Sequence, residues 1–394
     1  MWQRRWSGAV AASVQASPVP SLLVLAAEVS WVESTPSVAW SGMDHRLLAQ
    51  RGEPIGLVIR SDAFAPGGAD VVAGVVAEAL GRAAAAGLEI DEVHLDVDVP
   101  TARLGEYVAW LSAVRAVSGG LPLTVTSLPD WLRSEDAGAM LQQTDGHVLQ
   151  VHWLRWADQP SGPMTVLVPA EATRAVERAG ELDAPFRVAL PTYGYTVLRD
   201  ADGDVIDVVA EEMGARLPPG ATAELVQSDP TQLASLIRGW TRARPSRMRG
   251  VIWFRLPVDT DQNNWPQATL SAVMEGRVPR HELEVRAVPS GGGLHDLVVH
   301  NPGEVRAPVP RVAVNWDGDL EATDALRGGH WRTGRRCGVL TPGGDSLAPG
   351  DSTAVGWFRL TDGGTAVADV LAADAVTLDV CDRMRPASAN PDPD

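Results

Sequence analysis

Along the first 277 residues, short apolar runs alternate with stretches of helical periodicity, and the alternation repeats. Residues 22–29, 54–61, 92–99, 121–128, 147–153, 186–192 and 250–256 are rich in Val, Leu and Ala, which predicts seven strands. Between them, residues 70–86, 101–117, 131–142, 170–181 and 231–242 carry apolar positions three and four apart behind polar starts, which predicts amphipathic helices. Residues 7–16 and 265–275 read as a first and a last helix. Strands and helices in alternation are the pattern of parallel strands joined by crossover helices. The expected fold is therefore α/β, a (β/α)8 TIM-type barrel over residues 1–277. A closed barrel needs an eighth strand, and the only room for it is at the start, where Met1 to Arg5 is too short to span, so the first strand is expected to be truncated. An open doubly wound sheet is the alternative, but no Gly-rich phosphate turn follows any strand.

From about Pro279 the texture changes to short β-type runs between Pro and Gly turns, as at 311–316, 354–360 and 375–380. This predicts an Ig-like β-sandwich over residues 280–382, followed by a disordered tail at 386–394. A chain of 394 residues has the length for both domains, and 45% apolar against 21% charged residues allows a sizeable core.

Charge and chemistry narrow the function. Asp and Glu number 50 against 33 basic residues, a net charge of -17, so the surface repels nucleic acid and anionic membrane. All the basic residues are Arg. Without a lysine amine the chain cannot run Schiff-base or pyridoxal chemistry or build a Walker-type phosphate loop, and no cofactor is expected. No run of 18 apolar residues occurs, so no integral membrane segment is expected. No leader precedes Trp2, although a precursor trimmed before Met1 would read the same way. The two cysteines, Cys337 and Cys381, both fall in the C-terminal region, which excludes C-x-x-C redox and Cys-based zinc sites. A disulfide between them would suit an exported protein at the cell surface or outside it. Asp200 to Asp204 lacks the remaining ligands of a calcium loop and reads as a hairpin turn at Asp-Gly. With no H-x-H or H-E-x-x-H, no metal site is expected, and His94 reads as a hydrogen-bonded core residue.

Strand alternation then locates a site. In the run from Val93 to Val99 the odd positions are all apolar, so His94, Asp96 and Asp98 share the lumen face. The same parity puts Arg60 and Asp62 inward on the preceding strand, and Thr124 and Thr126, Gln150 and His152, Arg187 and Tyr193, and Trp253 and Arg255 inward on the four strands that follow. Polar residues gathered late in several strands mark the C-terminal mouth, where barrels of this kind build their sites. Asp98 ends its strand and is the first candidate for a catalytic carboxyl. Asp96, one pleat deeper, would orient it or pair with Arg60 or Arg255. Glycoside hydrolysis needs a second carboxyl across the scissile bond. Glu28, Asp62, Asp130, Asp259 and Asp261 fall at or just after strand ends, and Glu28 is preferred because Leu22, Val24 and Ala26 make its face otherwise apolar. The chain has 14 Trp against 3 Tyr and 4 Phe, and Trp31, Trp131, Trp153, Trp156, Trp253 and Trp265 follow or end the strands. Indoles at a polar mouth suit the apolar faces of sugar rings. A buried Arg/Asp network that ties the barrel together is the structural alternative.

Four stretches carry a resemblance: the Trp2 to Trp6 start, Leu95-Asp-Val-Asp-Val-Pro-Thr-Ala-Arg-Leu104, Ala189-Leu-Pro-Thr-Tyr-Gly-Tyr195 and Val251-Ile-Trp-Phe-Arg-Leu-Pro257. Together, over roughly residues 1–277, they resemble an uncharacterised bacterial family of barrel proteins, a domain of unknown function. The resemblance implies the fold and an exported setting, and no established activity. More distantly the chain is similar to family-18 chitinase-like barrels, whose fourth strand carries D-x-x-D-x-D-x-E. Asp96 and Asp98 fit the two later aspartates, while Pro100 stands where that family has its catalytic glutamate. The expectation is a glycoside-hydrolase-like barrel acting on or binding a poly- or oligosaccharide, with Asp98, Glu28 and Asp96 as catalytic candidates. Asp62, Arg60, Trp31, Trp131, His152, Trp153, Tyr193, Trp253, Arg255 and Trp265 would contact the sugar. A non-catalytic saccharide-binding barrel and a cell-surface assembly protein are the rivals. The oligomeric state is left open.

Overall fold

The structure is a computed structural model and describes residues 3–65, 67–156, 164–210, 218–344, 346–361 and 364–371. The chain divides into two compact units, Met1–Val278 and Pro279–Asp394.

In the first unit the strands are β1 (Leu22–Val32), β2 (Thr35–Trp40), β3 (Ile55–Ser61), β4 (Glu92–Val97), β5 (Leu123–Ser127), β6 (Gly146–Gln150), β7 (Phe186–Pro191), β8 (Gly194–Arg199), β9 (Val205–Val209), β10 (Thr222–Gln227) and β11 (Met248–Phe254). The helices are α1 (Gly8–Ala16), α2 (His45–Arg51), α3 (Gly68–Ala85), α4 (Leu104–Val117), α5 (Glu135–Leu141), α6 (Pro169–Glu181), α7 (Pro230–Arg242) and α8 (Gln267–Met274). Local chemistry sets their ends. Asp44 caps α2 by accepting from the Leu47 amide, with Gly52 in the left-handed conformation at the other end. Proline occupies the first position of α6 and of α7.

Eight strands form one mixed sheet in the order β11-β7-β6-β5-β4-β3-β1-β2. Seven of them run parallel and follow chain order. The eighth is β2, which folds back antiparallel on β1, and among the described residues no ladder joins β2 to β11. Among the described residues the parallel ladder thus counts seven strands, with β2 in place of a parallel eighth. Right-handed crossovers in a monotonic strand order deliver the crossover helices to the same face, where α3 packs on α4, α4 on α5, α6 on α7 and α7 on α8. The opposite face is concave. Arg187 of β7 and Glu92 of β4 form an ion pair although β5 and β6 lie between them, a separation of about 14 Å in a flat sheet.

Apolar side chains fill the helix-covered face in two clusters. One is built on β1, β3, β4 and β5 with α1, α3, α4 and α5, the other on β6, β7 and β11 with α6, α7 and α8. The small three-stranded sheet β10-β8-β9 follows directly on β7. The expected hairpin turn lies between β8 and β9, where the Asp200 carboxylate accepts from the amides of Asp202 and Asp204 at 3.0 and 2.9 Å.

In the second unit, one antiparallel sheet orders Glu284–Gly291, Leu294–His300, Ser352–Leu360 and Leu320–Ala325. A second orders His330–Thr333, Cys337–Thr341, Val312–Trp316 and Ala366–Val370. Leu297, Val299, Val355 and Phe358 from the first share one buried cluster with Val312, Val314, Trp316 and Leu340 from the second. Cys337 is disulfide-bonded. The predicted strand at 375–380, Cys381 and the predicted tail at 386–394 lie outside the described residues.

Candidate functional site

Register brings the polar residues of the concave face together. Glu28 of β1 lies beside Arg60 of β3, and Arg60 beside Asp96 of β4. The Arg60 guanidinium donates from Nη1 to Asp96 Oδ2 at 2.8 Å and from Nη2 to Asp98 Oδ2 at 2.9 Å. Burial works against the Arg60 charge, but Asp96, Asp98 and Glu28 outweigh it and hold the guanidinium above its ordinary pKa. Asp96 is buried, whereas the Asp98 side chain is 55% exposed. Loss of hydration raises the Asp98 pKa, Asp96 and Asp62 add to the rise through like charge, and Arg60 opposes it. Asp62 also accepts from the Trp31 amide at 3.2 Å.

Deeper on β4, His94 is buried between two hydroxyls, Thr124 Oγ1 at 2.8 Å from Nδ1 and Thr126 Oγ1 at 3.0 Å from Nε2. Burial, helped by Arg187, lowers its pKa to about 3, so the ring is neutral. Below it Glu92 accepts from both Thr124 and Arg187. β4 and the residue after it therefore present Glu92, His94, Asp96 and Asp98 in one line, from a half-buried polar floor to an open carboxylate past the C-terminal end of the strand.

Asp98 opens into a cavity of 630 Å3. Its lining includes Leu128, Pro129 and Asp130 after β5, Gln150 and Trp153 at the end of β6, and Glu171, Arg174 and Arg178 of α6. Trp153 is 41% exposed, with the Arg155 guanidinium over its ring at 5.6 Å.

Other expected contacts lie elsewhere. Glu28 takes a bidentate ion pair from Arg4, one arm at 3.0 Å, and does not line this cavity, whereas Asp130 does. Trp31, on the opposite parity to Glu28, donates to Ser61 Oγ at 2.8 Å and packs its ring 6.5 Å from Trp110. Trp131 and Trp265 are buried, with their indole N–H groups on the carbonyls of Val99 and Ser228. Trp253 faces the helices, because β11 pairs Gly250, Ile252 and Phe254 with Arg187, Ala189 and Pro191, and its ring joins Ile237 and Trp240 of α7. Trp131 and Trp265 are thus core side chains, Trp31 and Trp253 are half-buried against the core clusters, and none of the four lines the cavity beside Asp98. Tyr193 and His152 are also buried, joined at 3.3 Å between Tyr193 Oη and His152 Nδ1. Burial lowers the His152 pKa to about 3 and pushes the Tyr193 phenol up. Arg255 turns to Asp261 and the Ala210 carbonyl.

The α6 wall went unread in the sequence. The available signal, Arg174 and Arg178 one turn apart, was masked by neighbouring glutamates. Glu171, three residues before Arg174, suggests a local pair, but it is taken by Arg155 at 2.8 and 2.6 Å.

A family model described as Domain of unknown function (DUF3142) matches residues 51–259. No curated protein matches the chain. Among solved structures it is similar to chitinase ChiA74 from Bacillus thuringiensis at 12% identity, covering 82% of each chain with a TM-score of 0.39. It is also similar to the Bacillus cereus spore cortex-lytic enzyme SleL at 13% identity, covering 70% of this chain and 74% of that one with a TM-score of 0.47. For the GH18 chitinase ChiB from the chitin utilization locus of Flavobacterium johnsoniae, identity is 10%, coverage 70% and 93%, and the TM-score 0.44.

Proposed function

The chain belongs to the family described as Domain of unknown function (DUF3142), and we propose that its first unit is a glycoside-hydrolase-like domain that takes a poly- or oligosaccharide into the cavity beside Asp98. The observation that carries this reading is the make-up of that cavity: besides Glu171, which Arg155 neutralises, the carboxyl groups of Asp98 and Asp130 share it with the open indole of Trp153. A sugar ring offers an apolar C–H face to an indole and hydroxyls to carboxyl and guanidinium groups, so such a wall suits saccharide better than an apolar ligand. We read the large sheet as the wall of a (β/α)8-type barrel over residues 1–277, and residues 280–382 as an Ig-like sandwich. The Cys337 disulfide suits an oxidising compartment, and we read the protein as exported.

For cleavage, the roles follow from environment. Asp98, its pKa raised, keeps its proton to higher pH than an ordinary aspartate and gives it to the glycosidic oxygen. Asp130 is the carboxylate that either activates water or attacks the anomeric carbon, the separation of the two carboxyls deciding between inversion and retention. Arg60 aims Asp98, anchored at its other arm by Asp96.

The test is release of reducing ends from a panel of oligosaccharides, read beside ligand-induced shifts in melting temperature, for wild type and Asp98→Asn. General acid catalysis predicts a loss of about 10²- to 10⁴-fold in turnover with the fold retained. Ligand-induced shifts without turnover in wild type would instead support a binding-only site, the reading that Pro100 favours. An Asp98→Asn chain that unfolds while wild type stays folded would make Asp98 a structural member of the Arg60 network and end the catalytic assignment.

A further inference from the structure

Four arginines line the cavity: Arg133, Arg155, Arg174 and Arg178. Arg155 is neutralised by Glu171 through two hydrogen bonds. The other three make no ion pair or side-chain hydrogen bond among the described residues. Their placement is built in by secondary structure. Arg174 and Arg178 stand one helical turn apart on α6, whose opposite face is held in the core by Ala172, Val176 and Ala179. Arg133 ends the 3₁₀ turn Trp131–Arg133, which is anchored by buried Trp131 and Leu132 and packs on α6. Two like charges at this spacing repel each other on an isolated helix. The third cation lines the same cavity, although the chain carries 50 acidic side chains against 33 basic ones.

We propose that the saccharide of this cavity bears an acidic substituent, received by Arg133, Arg174 and Arg178 at the α6 end while the glycosidic bond lies toward Asp98. The inference rests on the carbohydrate reading of the same cavity and adds its charge. Guanidinium forks match the oxygens of a carboxylate or a sulfate ester in pairs, and because Arg133, Arg174 and Arg178 are exposed, added salt screens that match. A net charge of -17 opposes a dense polyanion, so the acidic groups recognised here are isolated ones on a short or sparsely charged glycan.

The experiment measures binding by calorimetry with three sets of oligosaccharides of matched length: neutral gluco- and chito-oligosaccharides, hexuronate-containing ones, and O-sulfated ones. The expected result is at least about tenfold tighter binding in one acidic set, falling severalfold between 50 mM and 500 mM NaCl. In the double variant Arg174→Gln/Arg178→Gln that set should drop to the level of the neutral one. Which acidic set is preferred distinguishes carboxylate from sulfate. Neutral sugars bound as tightly as acidic ones by wild type, or a preference that survives in the double variant, would overturn the inference and leave the carbohydrate reading standing. Failure of all three sets would overturn the carbohydrate reading and this inference with it.

Discussion

An indole in contact with water and one in the core fail differently when removed, and the tryptophans near the strand ends divide along that line. Trp153 and Trp156 are 41% and 57% exposed, whereas Trp131 and Trp265 are 2% and 3% exposed. Trp153→Ala is expected to leave the melting temperature within about a degree of wild type and to weaken saccharide binding by ten- to a hundredfold, the scale of one stacked ring. Trp131→Ala should cost about 3–5 kcal/mol of stability, because it empties a packed site against Tyr107 and frees the Val99 carbonyl. Denaturant melts and titrations on the two variants check both, and equal loss of stability would make Trp153 a packing residue. Strand alternation was enough to read Asp96 and Asp98, because β4 alternates cleanly. It could not say which tryptophans stay dry, since that depends on which helix covers them. Nor could it foresee that Arg4 claims Glu28, a contact 24 residues apart in the chain.

Periodicity located the seven parallel strands and the longer helices between them, but not α2 or the strands β2, β8, β9 and β10, and it failed where the backbone departs from period two. Simple alternation puts Leu22, Val24 and Ala26 on the face of Glu28. In β1 the ladder to β3 slips between Leu25 and Ala27, so Leu23, Leu25 and Glu28 pair with Gly56, Val58 and Arg60, while Leu22 and Val24 join the helix-side core. An inserted residue of this kind has no sequence signature in a run of Leu and Ala. The β1–β2 hairpin hides for a related reason: its two-residue turn is Glu33-Ser34, both at positive φ, where Asn-Gly is the usual sign. Ser41 pins the bulge, its amide donating to the Ala26 carbonyl at 2.9 Å and its hydroxyl to the Leu25 carbonyl at 2.6 Å. Ser41→Ala should therefore cost about 1–2 kcal/mol, read as a lower denaturation midpoint, and Ser41→Thr should recover most of it. If Ala is neutral at this position, the bulge is held by the strand pairing alone.

For the whole molecule, acid is the condition that discriminates among the forces holding the first unit together. His94, His147 and His152 are buried, and burial lowers their pKa values to about 3, 4 and 3. In the unfolded chain each takes up a proton near pH 6.5, whereas in the folded chain none does until far lower. Between those limits the unfolded state binds more protons, so the stability these rings contribute is complete above about pH 6.5 and drains away as pH falls toward the folded values. Each ring contributes a slope of up to about 1.4 kcal/mol per pH unit in that window, and the three act in the same direction. The window from pH 6.5 to 5 favours them, because ordinary carboxylates keep most of their charge there. The melting temperature of the first unit should fall by several degrees from pH 7 to pH 5 at constant ionic strength. His94→Gln keeps a donor and an acceptor for Thr124 and Thr126 and cannot be protonated, so its loss over the same interval should be smaller by about a third of the wild-type loss. A wild-type melting temperature that stays level from pH 7 to pH 5 would mean that these rings are hydrated or charged in the folded state. The polar floor beneath Asp98 would then be open to water, and the low dielectric that raises the Asp98 pKa would have to come from the cavity walls alone.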